Sequence, residues 1–471
     1  MRLTSVSFLF LAILFFACNN YEYPDSDIQV LKGATVFDGN GRVIENAIVI
    51  VEDGRIKSVG GSNVTLPVRA SIIDVTGKFI MPGLVDAHVH FFQTAFFDSR
   101  PDAGDVRDSI SYIEVQAFQR ANPDRYYEAY LRSGITAVYD VGGFNWSVDL
   151  QRTAENDLNA THVAAAGVLI TPASEQQIAT FNTPNEDVMR HLATEEIGRK
   201  VVQENSLNGS TGIKIWAMSP NDPDFVKKIE GVADETVLQG NKLIVHATAL
   251  DQAKLALRLN AKLLVHSVEN EEVDDEFITL IKENEAVYTP TLIVSRGYYN
   301  TYRAINGDPF VIKDPNQVVD QKTKDLLTNA AAFQRFFDSE QLEERIERFE
   351  TILEQRDKMM ATNLKKLYDA GALIAVGTDA GNPGTLHGIS IYDEIEAMQK
   401  TGIPASDLIV MATKNGAIAM DRLGDFGTLE SGKMADLIVL SKDPSTDISN
   451  TRSITHVMRG GLLRKVNEAF Q

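Results

Sequence analysis

Between residues 81 and 425 the chain repeats one theme, a short apolar run suited to a strand followed by a polar stretch with helical periodicity. Consecutive parallel strands can be joined only through long crossovers, so this alternation calls for a parallel sheet with helices packed on its outside. Eight apolar runs can be counted, at 84–90, 135–141, 163–170, 212–217, 243–247, 263–268, 286–294 and 373–381. Eight is the number that closes an α/β barrel of the (β/α)8 TIM type, and in such barrels the chemistry sits at the carboxyl ends of the strands.

The texture differs at both ends of the chain. From Ile28 onward, alternating segments such as Ala47-Ile48-Val49-Ile50-Val51 are broken by Asp38-Gly39-Asn40-Gly41 and Glu52-Asp53-Gly54-Arg55, which is hairpin chemistry. The same style returns in Ala435-Asp436-Leu437-Ile438-Val439-Leu440 and Thr455-His456-Val457-Met458. A small β-sandwich domain built from both chain ends is expected, with residues 28–80 plus 426–466 flanking a barrel at 81–425.

The N-terminus carries an apolar run from Phe8 to Ala17, too short to span a bilayer but fitting the core of a signal peptide. The chain's one cysteine, Cys18, follows Phe15-Phe16-Ala17, and this arrangement resembles a bacterial lipobox. Residues 1–18 are expected to direct export and to end in a lipidated Cys18. A polar tether at 19–27 would then link the anchor to the folded body, placing the protein on a membrane of the bacterial cell envelope. With Cys18 acylated, neither a disulfide nor a thiolate metal ligand is available. The formal net charge of −20, with no basic cluster able to track phosphates, argues against nucleic acid as a partner.

The strand ends carry the chemistry. The first run ends Asp86-Ala87-His88-Val89-His90, and two histidines two apart on a strand share a face. The fifth and sixth runs end in Val245-His246 and Val265-His266, which supply a second pair of imidazoles at matching heights on neighbouring strands. The eighth ends Gly377-Thr378-Asp379-Ala380-Gly381, and barrel closure brings Asp379 beside the first strand. In the fourth run, Ile213-Lys214-Ile215, alternation sends the isoleucines outward and Lys214 into the barrel. An ammonium there would be repelled by divalent cations, so Lys214 needs another charge state.

Taken in order, these six positions resemble the binuclear amidohydrolases. The Thr378-Asp379-Ala380-Gly381 run, with His387-Gly388 downstream, is similar to their imidazolonepropionase-like and Xaa-Pro dipeptidase-like branch. Gly432-Lys433-Met434-Ala435-Asp436-Leu437 is similar to that family's C-terminal sandwich strand. The resemblance implies that His88, His90, His246, His266, Asp379 and an N6-carboxylated Lys214 hold two divalent metal ions. Zinc is the default for such ligands, and iron, manganese and cobalt are also compatible. It implies cleavage of a C–N bond by metal-activated water with Asp379 as general acid and base, on dipeptides or N-acyl amino acids. A cyclic amide is the alternative.

Other residues are less constrained. His387 lies in the loop after the eighth run, where contact with substrate is one reading. Arg296, Tyr298 and Arg303, in what reads as a long loop after the seventh run, and Tyr288 on that run, are candidates for binding substrate. His162 at the start of the third run, His191 in an apparent helical stretch and His456 in the sandwich read as structural. Association into a homo-oligomer is open. A different kind of protein, a lipid-anchored binder with a metal but no turnover, would have little use for Asp379 and Lys214 together.

Overall fold

The computed structural model describes residues 28–468 and 470, so the expected leader, Cys18 and the tether lie outside the described residues. Both ends of the described chain enter one eight-stranded sheet. Its path runs Leu462–Lys465, Ile454–Arg459, Leu437–Leu440, Phe79–Pro82, Ile28–Phe37, Val43–Glu52, Arg55–Gly60, and Ser71–Asp74 pairs with Ile28–Phe37 beside that path. The join between the termini is the antiparallel pairing of Leu437–Leu440 with Phe79–Pro82. Register shifts within Ile28–Phe37 bend the sheet. Strand alternation then gives it two apolar faces: Leu31, Val49, Ile80, Leu437 and Met458 belong to one core, while Val30, Ile48 and Ile50 belong to another.

Phe79–Pro82 passes through Gly83 straight into the first barrel strand, Leu84–Val89. This pairs in parallel with Ile135–Asp140, and that in turn with His162–Ala165. A second parallel set runs Met189–His191, Leu169–Thr171, Ile213–Ile215, Leu243–His246, Ala261–Val265, Val287–Thr289. The third run of the sequence is thus not one strand. It breaks at Gly167, in the left-handed region at φ +72°, where no other residue bends the chain as freely. Its first half pairs with the second strand, and its second half pairs with the fourth and with Met189–His191.

The eighth run forms no regular strand either. Segment 373–381 closes the barrel through isolated bridges, Ile374 to Tyr288 on one side and Ala380 to Val89 on the other, with Ala87 N donating to Val376 O at 2.9 Å. Inside the ring, Val85, Ala87, Tyr139, Ile244, Leu263 and Ala375 pack with one another. The opposite faces of the strands, including Ile213, Ile215, Val245 and Leu264, meet the helices.

Two local expectations are corrected. His191 ends a short strand instead of lying in a helix, because residues 189–191 find a partner edge in Leu169–Thr171. The stretch after the seventh strand is mostly helical, with Val294–Ile305, Gln321–Thr328 and the 31-residue helix Ser339–Asp369. No helix among the described residues is long and apolar enough to cross a membrane.

Candidate metal centre

His88 and His90 reach the barrel mouth through an irregularity in the first strand. Val85 and Ala87 face the barrel interior. An extra residue between Asp86 and Val89 relative to the partner strand then resets the alternation, so that His88 and His90 turn to the end where Asp379 lies. Beneath them the packing leaves no room: a Cβ on Gly377 would come within 2.8 Å of the His88 Cβ and 3.1 Å of the Thr289 Cβ. Asp379 (φ +60°) and His266 (φ +75°) both adopt left-handed backbone, which non-glycine residues rarely do. Such strain persists where the surroundings over-determine it, and here it falls on the residues that face the cavity.

Oδ1 of Asp379 lies 3.2 Å from Nε2 of His88 and 3.1 Å from Nε2 of His90, and Oδ2 is 4.0 Å from Nε2 of His266. One donor atom each from His88, His266 and Asp379 falls within a 4.8 Å group. The His246 ring stands 4.3 Å from that of His266, which is 4.9 Å from that of His88. The far ring nitrogens are tethered: Nδ1 of His90 lies 2.7 Å from Gly142 O, and Nδ1 of His266 lies 2.8 Å from Thr291 Oγ1. The carbonyl fixes the His90 tautomer, leaving the Nε2 lone pair toward the centre, the usual presentation of a metal-ligating imidazole.

Burial keeps these rings neutral, the form in which imidazole binds a metal. It pushes His88 down to about 4 and His246 down to about 3, with His266 well below the ordinary histidine value. Burial alone would raise the Asp379 carboxyl, but the electrostatic interaction with His88 and the contacts with His88 and His90 hold it well below the usual range. Lys214 is buried on Ile213–Ile215, and burial brings its ammonium down to about 7 against the pull of Asp379 and Asp140. A lysine so lowered is a nucleophile at neutral pH.

The donor set fits divalent ions. Both ring nitrogens of His88 and Oδ1 of Asp379 are buried without a well-aligned hydrogen bond among the described residues. Leaving such atoms unsatisfied costs about 1–3 kcal/mol each. A cation between His88 Nε2 and Asp379 Oδ1 would satisfy those two atoms, and imidazole with carboxylate suits zinc and its neighbours.

Above the centre opens a cavity of about 620 Å3, with His90, Lys214, His246, His266 and Asp379 among its lining residues. Phe92, Phe181 and Trp216 contribute apolar surface to it. Arg100, after the first strand, donates through Nε and Nη2 to Asp102 at 2.9 and 2.7 Å and through Nη1 to Asn382 Oδ1, with Phe181 and Tyr298 rings each 5.7 Å away.

Residues 79–463 match the Amidohydrolase family. The chain belongs to that family. Over 435 residues it is 24% identical to an imidazolonepropionase of Geobacillus sp. (strain WCH70), covering 84% of each chain. Over 442 residues it is 23% identical to a 5'-deoxyadenosine deaminase of Methanothermobacter thermautotrophicus, covering 88% of this chain and 85% of that one. Among solved structures, a Xaa-Pro dipeptidase with bound methionine superimposes with a TM-score of 0.68 at 22% identity, covering 93% of this chain and 100% of that one. This amidohydrolase is therefore an enzyme acting on carbon–nitrogen bonds, of a family that uses divalent metal ions.

The substrate candidates divide. Tyr298 lines the amidohydrolase's cavity and donates to Asn382 Oδ1 at 2.8 Å. Arg296 and Arg303 do not line it: they are tied to Asp357 and Asp308 on the outside of the helical layer. Tyr288 points into the layer between barrel and helices, beside Phe277, and its hydroxyl accepts from Val268 N at 2.9 Å. His387 is buried behind the first-strand loop, with Nδ1 2.6 Å from the Tyr130 hydroxyl and Nε2 3.0 Å from Gln93 O. Both its nitrogens are engaged there, so it is a brace for the loop and does not reach the cavity. His162 sits between Glu155 Oε2 at 2.7 Å and Asp436 Oδ2 at 2.8 Å, joining barrel to sheet. His456 lies on the sheet strand Ile454–Arg459.

Sequence reasoning missed Arg100, Asn382 and the arginines of Ser339–Asp369 that line the cavity. Nothing in a loop arginine or a Glu- and Arg-rich helix marks the side that will face a mouth formed by distant strands.

Proposed function

We propose that this amidohydrolase hydrolyses an amide or peptide bond in a small substrate, a dipeptide or an N-acyl amino acid, with Asp379 as general acid and base. The observation that carries the reading is the contact of one Asp379 oxygen with the Nε2 atoms of both His88 and His90 at the floor of an open cavity. His88, His90, His246, His266, Asp379 and Lys214 would hold two divalent ions, zinc by default, with Lys214 carboxylated by carbon dioxide. When bound, such ions polarise the scissile carbonyl and make water acidic enough to attack near neutral pH.

The rest of the work falls to the chain's own groups. Asp379, ionised in its histidine surroundings, takes a proton at a carboxylate oxygen and returns it to the leaving nitrogen, because an amine leaves poorly unprotonated. Gly142 O and Thr291 Oγ1 hold the His90 and His266 rings in place throughout. Phe92, Phe181 and Trp216 limit water around the scissile bond. Lys214, with its depressed basicity, is poised to react with carbon dioxide. The likeness to the Geobacillus imidazolonepropionase favours a second reading, opening of a cyclic amide.

Metal analysis alongside a panel of dipeptides, N-acyl amino acids and cyclic amides tests both readings. Two metals with turnover of a linear amide is the expected result, turnover of the cyclic members alone selects the second reading, and absence of metal overturns both. We further propose that Cys18 carries a lipid anchor to the cell envelope; Cys18→Ala should release the protein from the membrane fraction, and retention there would overturn the anchor.

A further inference from the structure

The helix Ser339–Asp369 lies between the seventh strand and the closing segment, and one side of it lines the cavity. The residues on that side are Arg345, Arg348, Phe349, Ile352, Arg356 and Met360. At 3.6 residues per turn they form a single stripe about a third of the circumference wide. The sorting of charge on this helix is one-sided. It carries three arginines and six glutamates; all three arginines line the cavity and none of the glutamates does.

The cations of the cavity are not all matched. Arg100 is held by Asp102, and Arg356 lies 3.2 Å from Glu269. Arg345 donates only to neutral acceptors, Ala103 O at 2.6 Å and the Tyr302 hydroxyl at 2.8 Å. Arg348 has no hydrogen-bond or ion-pair partner among the described residues, although helical spacing puts Glu344 one turn before it. Two neighbouring guanidinium groups without a carboxylate therefore stand at the mouth, in a chain of net charge −20 where carboxylates are plentiful. Both are exposed, whereas His88, His90 and Asp379 are buried at the floor and His246 and His266 are half-buried.

We propose that Arg345 and Arg348 receive the carboxylate on the leaving portion of the substrate, which makes Ser339–Asp369 the helix that selects substrates. The planar guanidinium fork suits a carboxylate, and Phe349 and Ile352 on the same stripe offer apolar surface to the substituent beside it. The substrate class is then an amide whose leaving portion keeps a free carboxylate next to an apolar side chain. This inference rests on the hydrolase reading above for the position of the cleaved bond.

The test compares N-acetyl-L-phenylalanine with its primary amide, by calorimetric binding to the metal-loaded full chain, together with hydrolysis of the panel. The acid is expected to bind at least about tenfold more tightly than the amide, as a charge-assisted hydrogen bond predicts. Arg345→Ala with Arg348→Ala should bring the two ligands within about twofold of each other, a factor too small to represent a lost charge-assisted bond. Arg348→Ala alone, which removes no contact within the protein, should give part of that loss with unfolding unchanged. Arg296→Ala with Arg303→Ala should leave the preference intact. Equal affinity for acid and amide in the unmodified protein overturns the inference, as does a preference that survives the double substitution, which would place the carboxylate elsewhere. Preference for the acid without hydrolysis of any panel member supports the arginine rim and removes the hydrolase reading; hydrolysis without preference does the reverse.

Discussion

Asp86 and Thr378 are joined twice across the seam where the barrel closes, Thr378 Oγ1 donating to Oδ2 at 2.6 Å and Thr378 N to Oδ1 at 3.0 Å. The same carboxylate accepts from His88 N at 3.3 Å, so one buried side chain registers the histidine strand against the segment that carries Asp379. Thr378→Val keeps the shape and removes the hydroxyl donor. It should cost about 1–3 kcal/mol of stability and weaken metal retention by about 10–100-fold. Thermal unfolding and metal content read the two effects, and an unchanged metal content would mean that the tie does not set the geometry.

Asp379→Asn preserves volume but abolishes proton uptake at the carboxylate. Turnover should fall by about 10²–10⁴-fold while metal stays bound to the histidines. Steady-state rates with parallel metal analysis check this, and full activity would remove Asp379 from the chemistry.

The His162 cluster predicts an acid limb of stability. Burial works to raise the Glu155 carboxyl, but the hydrogen bond and charge of His162, with Arg422, hold it down to about 2, and Asp436 is likewise lowered against burial by His162 and Arg459. Because these folded-state values lie below the unfolded ones, their stabilisation is complete above about pH 4.5 and is lost as pH falls toward 2. Denaturant midpoints measured across that window should decline in the unmodified protein and flatten in His162→Gln.

Gly384 sits at φ +78°, and a Cβ there would lie 2.3 Å from Gly297 O, in the helix that carries Tyr298. Gly384→Ala must push that helix away from the segment after Asp379. A loss of more than about 1 kcal/mol in stability is expected, with KM raised more than kcat is lowered, because Tyr298 and Asn382 move together. Kinetics at several substrate concentrations separates the two parameters.

His387→Leu tests the bracing role. Removing a ring that joins the Tyr130 hydroxyl to Gln93 O should lower the unfolding midpoint by about 1–3 kcal/mol equivalent and leave metal stoichiometry unchanged. Loss of metal at constant stability would return His387 to the site.

Reading from residues reached furthest where one strand carries its own signal. His88, His90, Lys214, His246 and His266 each end or occupy a short apolar run; alternation alone places Lys214 and His246, whereas His88 and His90 reach the mouth through the irregularity after Asp86 and His266 through its left-handed backbone. The barrel and the terminal sheet were legible for the same reason. The break at Gly167 was not, since a glycine inside an apolar run reads equally as strand or bend until its neighbours are known. Tyr288 fell on the wrong side because a three-residue strand offers too little alternation to fix its phase. Arg296 and Arg303 looked available because their partners, Asp357 and Asp308, lie in segments whose packing only the folded chain brings alongside.

The pairing of Leu437–Leu440 with Phe79–Pro82 has a temporal consequence. Translation delivers Phe79–Pro82 and the adjoining histidine strand long before the segment that covers their edge, so that edge stays open until Leu437–Leu440 has been made. Contacts of such long sequence separation form slowly. A nascent chain halted before residue 437 would present an unpaired apolar edge immediately beside the metal-binding strand, and there the cell's chaperones have the most to protect.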